Sequence, residues 1–369
     1  MISKRRFVQQ ATCLASSLSI SLAMAAPQRK ERASDWFMPD EAERHTRTWM
    51  AFGASEKVWG RKLLPEVRRN LATLAKTIAR YEPVTMLARP SEMKFARSLV
   101  GTSVELIACE LDDLWIRDTG PTFLLTEKGD KAALDLNFNG WGEKQAFARD
   151  AKVASFVAAQ AKVKRMTTSL ILEGGCIEVD GQGTAILTES CVLNSNRNPG
   201  VSKAQFEDAL MPLLGLDKII WLPGIKGKDI TDGHTDFYAR FVKPGVVIAG
   251  YDPDPKSYDH AITKKHLEML RAATDAKGKR LEVIVLEAPT DVRETYASDE
   301  FASGYIGYYV CNGAVIAQEF GDAKADLAAK RALQKAFPNR VIEQIAMDGI
   351  ASGGGSIHCA TQQEPAAIV

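Results

Sequence analysis

The chain has 369 residues, 46% of them hydrophobic and 25% charged, with 47 Lys and Arg against 46 Asp and Glu. That apolar fraction excludes disorder over most of the length, and a net charge of +1 lacks the basic excess by which nucleic-acid binders hold phosphate. Ordinary glycine and proline content leaves out collagen-like and low-complexity classes, so the chain holds two or three domains or closes into one large α/β body.

Residues 1–25 carry a basic start, a weakly apolar run and Ala23-Met24-Ala25, the three-part layout of a secretory signal peptide. Arg5-Arg6 followed by Phe7 and Val8 resembles a twin-arginine signal without its usual spacer, so either export route stays open. The apolar run, about 16 residues, is short for a membrane span. The expected product is an exported protein, periplasmic or secreted, with no stable membrane insertion after processing. Six cysteines are present, Cys13 within the signal, and no CxxC or close His/Cys spacing marks a structural zinc. Disulfides are allowed among Cys109, Cys176, Cys191 and Cys311, but a chain of this size does not require them.

From there the periodicity predicts a recurring order of elements. An amphipathic helix over 63–81 leads to a strand at 83–88, and a helix over 150–163 to a strand in SLILEGG at 169–175. GCIEVDGQGTAILTES reads as a hairpin turning at Asp180-Gly181, followed by a helix over 202–215 and a strand at 218. TDFYARFVKPGVVIAG turns at Pro244-Gly245, and a helix over 259–277 and a strand at 281 follow. YIGYYVCNGAVIAQEF turns at Asn312-Gly313, with a helix over 324–336 and a strand at 341 behind it. A strand–strand–helix–strand unit therefore recurs about five times. With no Pro/Ser-rich linker to divide them, residues 30–369 read as one domain whose loop ends can converge.

The chemically unusual residues sit at strand ends and in loops. They are Trp115 to Pro121 after the Asp112-Asp113 pair, Glu173-Gly174-Gly175, the polar run Asn194 to Pro199, Asp232 to Asp236 around His234, and Gly353 to Cys359. A cysteine closing a glycine run is a candidate nucleophile, because glycines let backbone N–H groups crowd a thiol. The bland alternative is a turn beside a buried cysteine. His234 adds a proton shuttle and Asp236 a carboxylate on the same face of an extended segment; a core histidine is its ordinary alternative. His358, next to Cys359, points away from it if that segment is a strand. Metal binding through Glu173, Asp118, His234 and Asp236 has only one histidine to rest on. Asp118, Glu173 and Asp236 instead suit a planar guanidinium, gripped by paired carboxylates under an aromatic wall at Trp115. Arg117 and Arg197 are the internal cations that would satisfy these acids otherwise.

These stretches, from MPDEAERHTRTWMAFG (38–53) through WIRDTGPT (115–122), NFNGWG (137–142), LEGGCIEVDGQGTAILTESCVLNSNRNP (172–199) and TDGHTDFYARF (231–241) to GGGSIHCATQQEP (353–365), resemble the agmatine deiminase family and its bacterial peptidylarginine deiminase relatives. The resemblance implies a single-domain, five-module pseudo-symmetric α/β propeller of the pentein type. It implies Cys359 as nucleophile, His234 as general acid/base and Glu173 as its assistant. Asp118 and Asp236 would hold the guanidinium, in a pocket lined by Trp115 and Gly355. No metal or cofactor is implied, and relatives commonly form homo-oligomers. The expected reaction is hydrolysis of agmatine to N-carbamoylputrescine and ammonia through a covalent thiouronium; the alternatives are deimination of peptidyl-arginine to citrulline, amidino transfer and non-catalytic periplasmic binding of guanidinium ligands. The export signal, and Trp49-Met50-Ala51-Phe52-Gly53 where cytoplasmic members usually have an aromatic-proline pair, depart from the usual pattern. The chain also leaves no room after Cys359 for the extra domain of secreted peptidylarginine deiminases.

Overall fold

The computed structural model describes residues 35–367 except Ala297 and Asp299; the expected signal segment lies outside the described residues. The elements run, in order, β1 (Trp36–Phe37), β2 (His45–Phe52), α1 (Glu56–Ile78), β3 (Val84–Ala88), α2 (Met93–Val100), β4 (Glu105–Ala108), β5 (Thr122–Thr126), β6 (Lys131–Asp135), α3 (Val153–Gln160) and β7 (Lys164–Thr167). They continue with β8 (Glu178–Val179), β9 (Thr184–Thr188), α4 (Lys203–Leu214), β10 (Lys218–Leu222), β11 (Ala239–Lys243), β12 (Val246–Tyr251), α5 (His260–Ala272) and β13 (Glu282–Glu287). The last are β14 (Tyr309–Cys311), β15 (Ala314–Glu319), α6 (Ala323–Ala336), β16 (Val341–Ala346) and β17 (Gln362–Pro365). The architecture is α/β, and no described helix is long and apolar enough to cross a membrane.

Among the described residues the strands form five separate sheets, ordered β17-β2-β3-β4, β1-β5-β6-β7, β10-β9-β8, β11-β12-β13 and β14-β15-β16. Each contains an antiparallel pair whose second strand then pairs in parallel with a third across a helix: β5/β6 then β7, β8/β9 then β10, β11/β12 then β13, β14/β15 then β16; β1 adds a second antiparallel pair, with β5. In the first sheet that antiparallel partner comes from the far end of the chain, Gln362 opposite Trp49 and Glu364 opposite Arg47.

Local chemistry sets the helix ends. Ser202 accepts from the Gln205 N–H while Gln205 reaches back to the Ser202 N–H, a capping box that starts α4, and left-handed Gly215 ends it. Asp322 caps α6 by accepting from the Lys324 and Ala325 N–H groups. In α1, Gly60 breaks the helix at φ 65°, so its regular part begins close to residue 63, where the periodicity starts. The apolar faces are then buried: Leu71, Leu74 and Ile78 of α1 pack with Met50 and Phe52 of β2 and Met86 of β3.

One expected strand is displaced. SLILEGG does not join a sheet; the parallel partner of β6 is the polar run Lys164–Thr167, mostly exposed at the sheet edge. Leu170 and Leu172 are buried as irregular chain in the next apolar cluster, so a buried loop mimics a strand in its apolarity. Helix α2, strand β4 and the β5–β6 hairpin have no counterpart among the elements read from the sequence.

Candidate functional site

The site is assembled from equivalent places. Asp118 lies in a helical turn just before β5, Glu173 before β8, His234 and Asp236 before β11, and Cys359 before β17. Each is therefore delivered by the loop entering the antiparallel pair of a different sheet. The loop entering β14 adds Gly307, whose carbonyl accepts from the His358 N–H and which has no space for a side chain against Ser356.

All seven residues expected from the sequence are brought together. Trp115, Asp118, Gly355 and Cys359 line a cavity of about 690 Å³, while Glu173, His234 and Asp236 are buried behind its wall. Gly175 is where they meet. A Cβ on Gly175 would come within 2.6 Å of His234 Nδ1 and 3.0 Å of both Asp118 Oδ1 and Asp236 Oδ2. Gly355 plays a similar part for Trp115, since a Cβ there would stand 2.2 Å from the indole. Trp115 leans on Trp59 with ring centroids 5.7 Å apart.

Asp118 accepts from Trp141 Nε1 at 2.9 Å and from the Gly175 N–H at 3.0 Å. Asp236 bonds His358 Nδ1 through Oδ2 at 2.7 Å and leaves Oδ1 buried without a partner. His234 bonds Glu173 through Nε2 at 3.2 Å, and its Nδ1, 3.8 Å from Asp118 Oδ1, is likewise unpartnered. Cys359 Sγ lies 3.4 Å from Ser356 Oγ and 3.9 Å from Asp236 Oδ2. A buried acceptor and a buried ring nitrogen left open beside a thiol are costly unless a ligand completes them.

The two arginines behave differently. Arg197 pairs with Glu173 at 3.0 Å and with Asp232 at 2.5 Å, so Glu173 does have an internal cation. Arg117 turns to Glu41, Gln362 and Gln363. Among the described residues, Asp118 and Asp236 pair with no arginine or lysine, which leaves a cation's place open between them. The four-residue metal alternative fails on geometry: Glu173 faces Nε2 of His234, whereas Asp118 faces Nδ1, so they cannot share one ion through that ring.

Burial alone would push the His234 imidazole down, yet the Asp118 carboxylate, the neighbouring Cys191 and the Glu173 hydrogen bond raise it well above the ordinary histidine range. For Glu173 and Asp236, burial is outweighed by their histidine hydrogen bonds, and both stay below the usual carboxylate range. Burial raises Asp118. It also lifts the Cys359 thiol well above its ordinary value, and the Asp236 and Asp118 charges add to the effect. These influences favour the protonated form of both the imidazole and the thiol.

Sequence reasoning missed several supports. The segment around His358 is a turn, not a strand, and His358 is wedged between Asp236 and Glu41, 2.8 Å from the latter. Trp141, held at φ 56° with its indole on Asp118, and Asp113, which accepts from Trp59 Nε1 and Gln145 Nε2, also belong to the site wall. NFNGWG contained Trp141, but nothing in its spacing announces a partner at Asp118.

Comparison with known proteins extends the pattern over the whole fold. A relative from Streptomyces avermitilis is 42% identical over 345 residues, covering 90% of this chain and 98% of its own. The agmatine deiminase of Pseudomonas aeruginosa (strain LESB58) is 36% identical over 366 residues, covering 93% and 99%. The solved agmatine deiminase of Enterococcus faecalis superposes with a TM-score of 0.86 at 29% identity, covering 90% of this chain and 97% of that one. Residues 37–365 match the Porphyromonas-type peptidyl-arginine deiminase family, and the chain belongs to that family.

Proposed function

We propose that this protein is an agmatine deiminase, hydrolysing the guanidino C–N bond of agmatine to give N-carbamoylputrescine and ammonia. The observation that carries the reading is the pair of buried carboxylates, unpaired with any described lysine or arginine, beside Cys359 and the free Nδ1 of His234. The names of relatives that span nearly the whole chain support the same substrate.

In the proposed mechanism the guanidinium enters over Trp115 and donates N–H bonds to Asp118 and to the open Oδ1 of Asp236. Its positive charge counters the burial and the two carboxylates that raise the Cys359 thiol, so the thiol sheds its proton to water and attacks the guanidinium carbon. His234, protonated in the free protein, gives its proton through Nδ1 to the departing nitrogen, and ammonia leaves. The neutral imidazole then takes a proton from water, which attacks the thiouronium carbon; collapse of that adduct releases Cys359 and the ureido product. Glu173, anchored by Arg197, keeps Nδ1 aimed at the reacting carbon by holding Nε2.

We further propose that the five sheets stand round one axis as a propeller. Their common strand order and the delivery of each site residue by the equivalent loop support that arrangement. Export rests on the N-terminal signal pattern alone.

The test offers agmatine and a blocked peptidyl-arginine side by side to the purified protein and reads ureido product and ammonia. Turnover of agmatine is expected, with Cys359→Ala losing at least about 10³-fold in kcat while still binding agmatine. Preference for the peptide would move the enzyme to arginine modification. Binding of agmatine without turnover in the unmodified protein would sink the hydrolase reading.

A further inference from the structure

The loop ahead of β2 supplies no group to the proposed reaction, yet its Glu41 stands one imidazole away from Asp236. His358 bonds Asp236 Oδ2 through Nδ1 at 2.7 Å and Glu41 Oε2 through Nε2 at 2.8 Å, and all three side chains are buried. Glu41 is itself fixed. Its Oε1 accepts from the Val310 N–H at 2.9 Å and lies 2.8 Å from Arg240 Nη2, and its Oε2 accepts from Arg117 Nη2 at 3.2 Å. Burial works against the Glu41 charge, but Arg240, His358 and Arg117 hold the carboxyl well below the usual carboxylate range, and Asp236 is below that range as well. Two ionised carboxylates can only accept, so the His358 ring donates from both nitrogens and carries a positive charge. The backbone beside the ring is held separately: the Gly307 carbonyl accepts from the His358 N–H at 3.0 Å, and the Cys359 carbonyl accepts from the Arg117 N–H at 3.2 Å. The thiol therefore has anchors other than the His358 side chain.

We propose that His358 is a positioning residue for Asp236: it takes Oδ2 and thereby turns Oδ1 toward the guanidinium. The terminal torsion of an aspartate is broad, so the side chain itself does not fix the plane of its carboxylate. His358 fixes that plane from one side, and the site shows the result, with Oδ2 occupied and Oδ1 buried and open. Oδ2 is also the oxygen in contact with Cys359 Sγ, at 3.9 Å. The imidazolium bonded to it offsets negative charge that would otherwise face the forming thiolate. One ring thus aims the oxygen that binds and quiets the oxygen that repels. Glu41 makes the charged ring the stable one, because a neutral ring would set a bare nitrogen against one of the two carboxylates. The role rests on the deiminase reading, since Oδ1 is assigned to the guanidinium of its substrate.

Two substitutions separate the two bonds of the ring. In His358→Asn the amide nitrogen falls near the place of Nδ1 and keeps a donor on Asp236. In His358→Gln it falls near the place of Nε2 and keeps one on Glu41 instead. Agmatine binding is measured by calorimetry in Cys359→Ser protein, where no turnover intervenes. His358→Asn should bind within about threefold of that parent, and His358→Gln at least about tenfold more weakly, because a charged hydrogen bond no longer directs Oδ1. A purely structural role predicts the opposite order or equal losses, since His358→Gln preserves the bond to the more heavily anchored carboxylate; either result overturns the proposal. With Cys359 intact, iodoacetamide should label the thiol of His358→Gln no faster than that of the unmodified protein, counted on the Cys359 peptide by mass spectrometry. Faster labelling would mean an opened loop and overturns it too. Circular dichroism checks each fold, and His358→Ala, with the same expected loss, replaces His358→Gln if that variant misfolds. Failure of the deiminase reading looks different: Cys359→Ser protein with His358 in place would then not bind agmatine at all, and the role of His358 falls with it.

Discussion

Gly175 shows how much of the site hangs on one missing methyl group. Its backbone lets His234, Asp118 and Asp236 approach one point, and the Gly175 N–H itself fixes Asp118. Gly175→Ala would place a Cβ 2.6 Å from His234 Nδ1, so the ring must shift by several tenths of an ångström or more. We expect at least a hundredfold fall in kcat/KM, equivalent to roughly 2.7 kcal/mol of transition-state stabilisation, with the larger part in kcat. Steady-state kinetics on agmatine together with the thermal melting of the variant check this. A variant that melts early for its loss of activity would point to general disruption. The candidate site residues were legible because glycines and charged residues share short motifs: Glu173-Gly174-Gly175, Gly233-His234 and the run ending at Cys359. Their supports were not legible. Glu41 reaches His358 and Asp113 reaches Trp59 only after folding brings together positions far apart in the chain.

At the scale of elements, two loops clamp each other beside the cavity. Asp112 Oδ2 accepts from the Arg149 and Asp150 N–H groups, and the Asp150 carboxylate accepts from those of Asp112 and Asp113. Asp113 in turn holds Trp59, the support of Trp115. Burial raises Asp150 to about 7 and Asp113 to about 6. A carboxyl that binds its proton more tightly folded than unfolded stabilises most at low pH, and that stabilisation declines as pH rises through the folded value. Unfolding free energy should therefore fall between about pH 4 and about pH 7, and Asp150→Asn should flatten that slope even though its amide loses one N–H contact. Urea titrations of both proteins at several pH values test it; parallel slopes would refute the assignment to Asp150. Five of the helices and most of the strands beside them were readable because an amphipathic face or an apolar run next to a turn signal is local information. The exchange of SLILEGG for Lys164–Thr167 was not, because an edge strand needs a partner, here β6, and not an apolar sequence.

For the whole molecule, the decisive pairing joins the two ends of the described chain. β17 completes the sheet of β2, and Arg117 reaches from the Asp118 turn to Gln362 and Gln363, both at 2.7 Å. Arg117 is almost wholly buried, so loss of those partners leaves a guanidinium short of hydrogen bonds, at a cost of about 1.5–3 kcal/mol for each charged bond. Deleting residues 362–369 should then abolish activity and lower the melting temperature sharply, although Cys359 itself remains. Near-ultraviolet circular dichroism and calorimetry would show it; a native-like melt with lost activity would confine the role of β17 to aiming the thiol. Element order showed that about five units exist. That the last strand belongs to the first sheet depends on contacts with no local signature.

This pairing also has a consequence in time. Asp118, Glu173 and His234 leave the ribosome well before Cys359, and at roughly 5–20 residues per second the interval after His234 is roughly 6–25 s. On the proposed mechanism the nascent chain throughout that interval has carboxylates and base but no nucleophile, and β2 lacks the neighbour that will fix it. On that mechanism a chain released early is a chemically silent fragment, never a weak enzyme, because the proposed nucleophile arrives together with the strand that completes the first sheet.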